Sequence, residues 1–570
     1  MKQKMFIKKA LSLLLAAVLV LSFSGCRNRN DEEENQNPEV TQQDELVIYH
    51  KNTDLAPMLM SLTEEYSKAT GKKISAKLAG NDFLGEMKSQ NGVLYIVDTH
   101  SDLSGWHSEG LLSDFLNDSG LSSLISKVPA GLQLNAAGIG SFGIPLMLEG
   151  YGYIFDKDML SDIFGEENAE KLTGDLRTCS FTDFEGFVSA LDTWISAPSA
   201  AELTVNGNKY TFAEEKTGKA QNLTGVFSLN IESTRAMEHL LSSALAAKFA
   251  SRYEVLTAGE EAISEMEDIF KAYAEVLDFQ TSHVAGAEGT IGRGEEFAGG
   301  DYNYSTSVDL FARGKALFYP GGTSDAADFE KSAEGFGENL DIIPMKLPLS
   351  EEEISAAGMT AEKLQSSIVI GSRYYLAINP NAEENLYAAA RDFVNWLYND
   401  AAGKTAYSSA FGGVPFNFEY LMGAPSGEEN SSPAEGETNS ETETESLPSE
   451  GAKTSQNSEG NQSMNEGQNS EAAPEQNLPE ENPEMVGPMN PSHKISGTLM
   501  EAVAEYYSAG NWIPDLSFSL PADFSVKILG DSLSGYWAKD NWTESDREDF
   551  VDIIIGGWKN LIDKDNTAVG

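Results

Sequence analysis

Glu149 sits in the stretch GIPLMLEGYGYIFDKDML, residues 143–160, where a carboxylate is least expected. Leu146, Met147 and Leu148 precede it. Gly150, Tyr151, Gly152 and Tyr153 follow it. A charged group inside an apolar run needs partners, because burying it alone is costly. The expected arrangement is a chain crossing between two lobes, with Glu149 and Tyr151 turned toward a ligand cleft. Pairing with Lys157 is the plainer alternative.

Two other polar clusters lie where short apolar runs end. Asn52, Thr53 and Asp54 follow ELVIY at 45–49, and Asp98, Thr99, His100, Ser101 and Asp102 follow VLYIV at 93–97. In open α/β sheets, ligands sit beyond the carboxyl ends of strands. Asp98 and His100 could hold a metal, but no further histidine follows at ligand spacing, so a capping or cleft role is expected. The sequence contains no G-x-S-x-G, H-E-x-x-H or C-x-x-C, so the usual nucleophile and zinc arrangements are missing and no catalysis or cofactor is expected. The pair Asp98 and Asp102 keeps a cell-envelope glycoside hydrolase open as an alternative. A surface adhesin or sensor is another.

The elements that must position these groups read as an α/β fold. ELVIY, a helix from Pro57 through Tyr66, KISAKL at 73–78, a helix over 84–90 and VLYIV alternate in β-α-β-α order. GIGSFG at 138–143 fits G-x-G-x-x-G, yet no strong strand leads into it and Pro145 follows where a helix should open. It is expected to form a hairpin turn. Helices are expected over 156–165, 181–194, 233–249 and 263–279, and a hairpin about Asn206-Gly207. Lys315–Tyr319, Leu340–Pro344 and Ile368–Asn379 read as strands, and Glu384–Tyr398 as a helix. Trp106 and Trp512 could each be core or a stacking platform.

At 570 residues the chain is too long for a single core. Its formal net charge of −50 repels phosphate backbones, which excludes nucleic acid as a partner. Lys2, Lys4, Lys8 and Lys9 precede an apolar segment, Ala10–Phe23, that is short for a membrane span. Leu21-Ser22-Phe23-Ser24-Gly25-Cys26 resembles a bacterial lipobox, with Phe23 where leucine is usual. The resemblance implies cleavage before Cys26, diacylation of its thiol and a firm hold on a membrane face. Residues 1–25 are then a lipoprotein signal peptide and 26–44 a flexible tether. Cys179 would be left without a disulfide partner, as a buried inert thiol. Residues 424–488 are rich in Glu, Ser, Asn, Gln and Gly, contain one lysine, Lys453, and have almost no large apolar side chain. Such a tract cannot bury enough surface to offset chain entropy and is expected to be disordered. Trp512, Trp537, Trp542 and Trp558 lie beyond it, which makes it an insertion.

With those stretches in view, the chain resembles the extracellular solute-binding proteins of carbohydrate ABC importers, in the maltose-binding-like group. LVIYHKNTDLAPMLMSLTEEYSKATGKKI, VLYIVDTHSDLSGWHSEGLLSDF, GIPLMLEGYGYIFDKDML, LFARGKALFYPGG and AAARDFVNWLYNDAAGKTAY carry the resemblance, in the family's order. It covers most of 45–422 and, more weakly, 495–558. It implies a two-lobed periplasmic-binding-protein-like fold of type II. One lobe would be 45–148 with 316–372, and the other 149–315 with 373–423 and 489–570. Lys315–Gly322 would be the return crossing. Carried over by position, Asn52, Thr53, Asp54, Asp98, Ser101, Asp102, Glu149, Tyr151, Tyr302 or Tyr304, Gly321, Gly322 and Trp512 would line the cleft. Carboxylates accept paired hydrogen bonds from vicinal hydroxyls, and aromatic faces cover the C–H side of a sugar ring. After Gly321-Gly322 the family often has tryptophan where this chain has Thr323-Ser324, which removes one platform. Leu176–Gly218 is longer than usual. The implied partners are a small polar solute, a sugar above all, the importer's permease subunits and the membrane, with the protein acting as a monomer.

Overall fold

The computed structural model describes residues 45–53, 55–90, 92–98, 103–136, 140–231, 234–333, 339–372, 374–411, 497–521 and 524–568. The expected signal peptide, Cys26, the tether and the acidic insertion lie outside the described residues. So does Asp54, as do Ser101 and Asp102.

The first stretch builds one sheet. β1 (Leu46–His50) leads to α1 (Ala56–Thr70), β2 (Ile74–Leu78), α2 (Phe83–Gln90), β3 (Leu94–Asp98) and α3 (Leu103–Ser108). α1 has proline in its first turn and ends at Gly71, whose φ of 71° lets its N–H reach the Ser67 carbonyl at 2.9 Å. β2 and β3 flank β1, both parallel to it, as expected for strands joined by helical crossovers. β4 (Asn135–Ala136) and β5 (Gly140–Ser141) pair antiparallel and flank the start of the Gly-rich run. β6 (Ile144–Pro145) closes this stretch.

The chain then crosses. β7 (Glu149–Asp156) begins a second sheet and is buried along its whole length. α4 (Lys157–Phe164), α5 (Glu166–Thr178) and α6 (Phe181–Ser196) follow. Asp156 caps α4 by accepting the Asp158 N–H at 2.9 Å. β8 (Glu202–Val205) and β9 (Asn208–Thr211) form the expected hairpin, with Asn206 at φ 49° and Gly207 at φ 75°. β10 (Gly225–Phe227), α7 (Thr234–Lys248), α8 (Arg252–Leu256), α9 (Glu267–Thr281), α10 (Tyr304–Ala312) and β11 (Ala316–Gly322) come next. α11 (Ala326–Ser332), β12 (Leu340–Ile343) and β13 (Ile368–Gly371) complete this stretch. β14 (Tyr374–Ile378), α12 (Glu384–Asn399) and α13 (Ala401–Phe411) precede the insertion. α14 (Gly497–Ala509), β15 (Trp512–Pro514) and α15 (Glu544–Ala568) follow it.

The first sheet runs β2-β1-β3-β14-β6. The second runs β10-β11-β7-β13-β15, with β12 also on β7. This corrects three expectations. Ile368–Asn379 is not one strand: β13 lies in the second sheet and β14 in the first, with Ser372 between them. β11 is not the return crossing. It pairs antiparallel with β7, Phe318 opposite Phe155 and Gly322 opposite Tyr151, so it stays in the second sheet. The return runs from Gly371 to Tyr374. Residues 316–371 therefore belong with the second sheet and not the first lobe, and the described part of 373–423, expected in the second lobe, goes with the first, where β14 lies and α12 and α13 pack. The two crossings are neighbours, since Glu149 pairs with Gly371 and Pro145 with Tyr375.

One apolar layer backs both sheets. It joins Leu59, Leu62 and Tyr66 of α1 and Phe393 and Leu397 of α12 to Ile154, Ile342, Ile368 and Val503. The opposite face of each sheet has its own core. In the first lobe this core includes Tyr95, Trp106 and Tyr375. In the second it includes Tyr151, Tyr153, Phe184, Phe227, Phe318 and the last four tryptophans apart from Trp512. Trp106 packs edge-on to Phe83 at 4.9 Å, so it is core. Cys179 is buried without a disulfide, and burial pushes its thiol up to about 11. Among the described residues, no helix is long and apolar enough to cross a membrane.

Candidate functional site

The polar groups gather where the two crossings meet. β7 begins at Glu149, a carboxyl side chain that is only 3% exposed. The Tyr151 hydroxyl donates to Glu149 Oε2 at 2.7 Å, and the Ser324 hydroxyl reaches the same oxygen at 3.3 Å. Alternation along β7 puts residues 149 and 151 on one face, so the tyrosine two places on can reach back to the carboxylate. Ser324 follows β11, the strand paired with β7. The Thr323 hydroxyl accepts the Gly150 N–H at 3.3 Å, which ties that turn to β7.

Gly321 and Gly322 are needed for this packing. A Cβ on Gly322 would come within 2.6 Å of the Tyr151 ring, and one on Gly321 within 2.2 Å of Tyr319. Both glycines sit in the site as backbone that lets side chains close in. Asp325 accepts the Gly322 N–H at 3.1 Å and the Tyr304 hydroxyl at 3.0 Å, and Asp328 accepts from Tyr304 at 2.9 Å. Burial first, and Asp325 next, hold the Tyr304 hydroxyl far above the usual tyrosine range. Tyr304 therefore faces the site's carboxylates. Tyr302 instead packs against Phe297 in the second-lobe core, with ring centroids 5.8 Å apart.

Across the crossing, half-buried Asn52 donates through its side-chain amide to the Tyr374 hydroxyl. Tyr374 is paired in register with Asp98, the last residue of β3. Asn52, Asp98 and Tyr374 thus share the carboxyl edge of the first sheet; the Asp98 side chain lies outside the described residues. Thr53 is exposed, and its carbonyl accepts the Ala56 N–H at 3.2 Å in the turn before α1. Trp512 is half-buried on the edge strand beside β13 and stacks on Tyr507 with centroids 5.6 Å apart. A Cβ on Gly131 of the first lobe would lie 3.8 Å from its ring, so Trp512 stands at the junction of the lobes.

A further group of residues beside the site was not singled out from sequence. His239 of α7 stacks on Tyr151, with centroids 3.4 Å apart and planes at 16°. Its Nδ1 is 3.7 Å from Asp515 Oδ2, close enough to pair when the ring is protonated. Asp515 is fully buried, and its Oδ1 accepts from the hydroxyls of Ser242 at 2.6 Å and Ser517 at 2.7 Å. Arg252 of α8 donates to the Asp515 carbonyl at 3.0 Å. Asp515 directly follows β15, at a strand end like Asp98, and that position was the available signal. Among the described residues, no group of three or more His, Cys, Asp or Glu side chains is placed to hold a metal ion.

The arrangement offers carboxylates, hydroxyls and aromatic faces at a junction of two α/β lobes, a place for reversible capture of a polar molecule. The profile of the bacterial extracellular solute-binding protein family matches residues 62–427, more than half of the chain. This chain belongs to that family. No curated protein matches the solute-binding protein's sequence. Among solved structures, it is similar to the apo form of RafE from Streptococcus pneumoniae. The identity is 12% and the TM-score 0.53, over 91% of this chain and 98% of that one. A family 1 extracellular solute-binding protein from Alicyclobacillus acidocaldarius subsp. acidocaldarius aligns at 10% identity and TM-score 0.50, over 90% and 98% of the two chains. Such low identities establish that this solute-binding protein shares their fold, and nothing finer.

Proposed function

We propose that this solute-binding protein captures a carbohydrate, or a similar small polar solute, in the cleft between its lobes and delivers it to the permease of an ABC importer. Glu149, its carboxyl steadied by the buried Tyr151, contacts the solute from the second lobe. Asn52 and the carboxyl edge of β3 contact it from the first. The observation that carries this reading is the Glu149–Tyr151 pair at the first residues of the crossing strand, beside the return crossing. Carboxylates and hydroxyls there match the alternating donors and acceptors of a sugar, and Trp512 supplies an aromatic face near the junction. Diacylation at Cys26 keeps the protein, as a monomer, at the outer face of the bacterial cytoplasmic membrane; the basic, apolar and small-residue pattern of residues 1–26 supports this.

The test is a thermal melt of the purified protein against a panel of mono- and oligosaccharides. A sugar at a hundredfold over its Kd adds about 2.7 kcal/mol to the folded state. A panel in which no sugar moves the melt, while peptides or polyamines do, overturns the carbohydrate reading. Turnover of a chromogenic glycoside would replace capture with hydrolysis.

A further inference from the structure

We infer that Arg252 and Tyr375 form a latch between the lobes, one that sets how they stand before any solute arrives. Tyr375 belongs to the first lobe. It lies on β14, and its ring is fully buried with Tyr95 and Trp106 in the core of that lobe. Arg252 belongs to the second lobe. It opens α8, is 5% exposed, and donates through Nε to the Asp515 carbonyl at 3.0 Å. Its Nη1 donates to the Tyr375 hydroxyl, also at 3.0 Å. The hydrogen bond is buried and spans 123 residues of sequence.

Both ends are held by their own lobes. Asp515 N–H donates to the Ile370 carbonyl at 3.0 Å, and Asp515 Oδ1 accepts from Ser242 and Ser517. The guanidinium is thereby fixed to the second sheet one residue from Gly371, where that sheet ends at the return crossing. The Tyr375 hydroxyl is carried by the first strand residues after the same crossing. A rotation about Ser372 that moves one lobe must therefore move donor against acceptor. Hydrogen bonds weaken steeply once they lengthen or bend, and a buried guanidinium is costly when it loses an acceptor. The latched geometry is a discrete well, and lobe motion on solute binding has to leave it or preserve it. The inference rests on the two-lobed fold; it needs neither the identity of the solute nor the role of Glu149.

Pulsed electron spin resonance on the full chain without solute tests it. Leu116→Cys in the first lobe and Ile553→Cys in the second take the labels. Both sites are exposed, at 46% and 43%. Cys179 is buried and stays unlabelled, and Cys26→Ser removes the other thiol. Tyr375→Phe removes one oxygen only. It is expected to shift the ratio of interlobe distance populations by about tenfold, the effect of one hydrogen bond to a charged group. Arg252→Met shifts it at least as far, because it also loses the bond to the Asp515 carbonyl, Arg252→Lys less, and the double variant Tyr375→Phe with Arg252→Met no further than Arg252→Met alone, because the hydroxyl contact is already broken there. A Tyr375→Phe distribution that overlays the parent's overturns the latch. Should Arg252→Met fail to fold, Tyr375→Phe decides alone.

Discussion

At the scale of single residues, the molecule holds several charges where a core would be expected, and each has a specific arrangement. Glu149 accepts from the hydroxyls of Tyr151 and Ser324. Lys346 is fully buried, donates to the Arg177 carbonyl at 3.0 Å and to the Gln365 carbonyl, and burial brings its amine down to about 8. The sign of the consequence follows. A lysine with a depressed folded value costs stability fully below that value, and the cost is relieved as pH rises toward the ordinary 10.5. The gap corresponds to on the order of 3 kcal/mol. Denaturant melts between pH 7.5 and 9.5 should therefore show a contribution that rises with pH, and Lys346→Met should flatten it. An unchanged slope in the variant would mean that the amine is protonated in the folded state. Cys26→Ser should move the protein from the membrane fraction to the soluble one and abolish incorporation of labelled palmitate. Retention on membranes without Cys26 would place the anchor elsewhere.

At the scale of elements, β7 organises the second lobe. Its glycines alternate with tyrosines because neighbouring chains press on one face. A Cβ on Gly152 would meet the Ile343 carbonyl at 2.4 Å, and one on Gly371 would meet Asp515 Cβ at 2.7 Å. Gly322→Ala should cost about 1–3 kcal/mol, as overpacking does, and should also weaken solute binding, because Tyr151 must move away from Glu149. Gly371→Ala should cost a similar amount of stability by displacing Asp515. Denaturant melts check both, and a neutral result would show that the strands part easily. The α/β character, the Asn206-Gly207 hairpin and the Glu149 crossing were all legible in the sequence, because turn chemistry and apolar periodicity are local. The place where Ile368–Asn379 changes sheets was not. A run of apolar residues looks the same whether it stays in one sheet or steps to another, and only pairing with distant β7 decides it. The same holds for β11, whose partner lies more than 150 residues upstream. His239 was hidden for a related reason: on an amphipathic helix a single histidine reads as part of the packed face until the ring it stacks on is known.

At the scale of the whole molecule, two sheets share one apolar layer and are joined by adjacent crossings, so any motion of one lobe against the other must bend those crossings and slide within that shared layer. The candidate site lies beside those crossings. Under the proposed function, a solute gripped from both sides would couple its contact with Glu149 to the relation of the lobes. The central claim is that the Glu149 carboxylate is one of the contacts that hold the solute. The direct measurement is calorimetric titration of the sugar that moves the wild-type melt into Glu149→Gln, which keeps the size of the side chain and removes its charge. Affinity should fall about tenfold or more, as expected for loss of a charged hydrogen-bond partner, while the ligand-free melt moves by no more than about 2 °C. Wild-type affinity in the variant, or a collapse of its ligand-free melt, would contradict the account and leave Glu149 a structural residue.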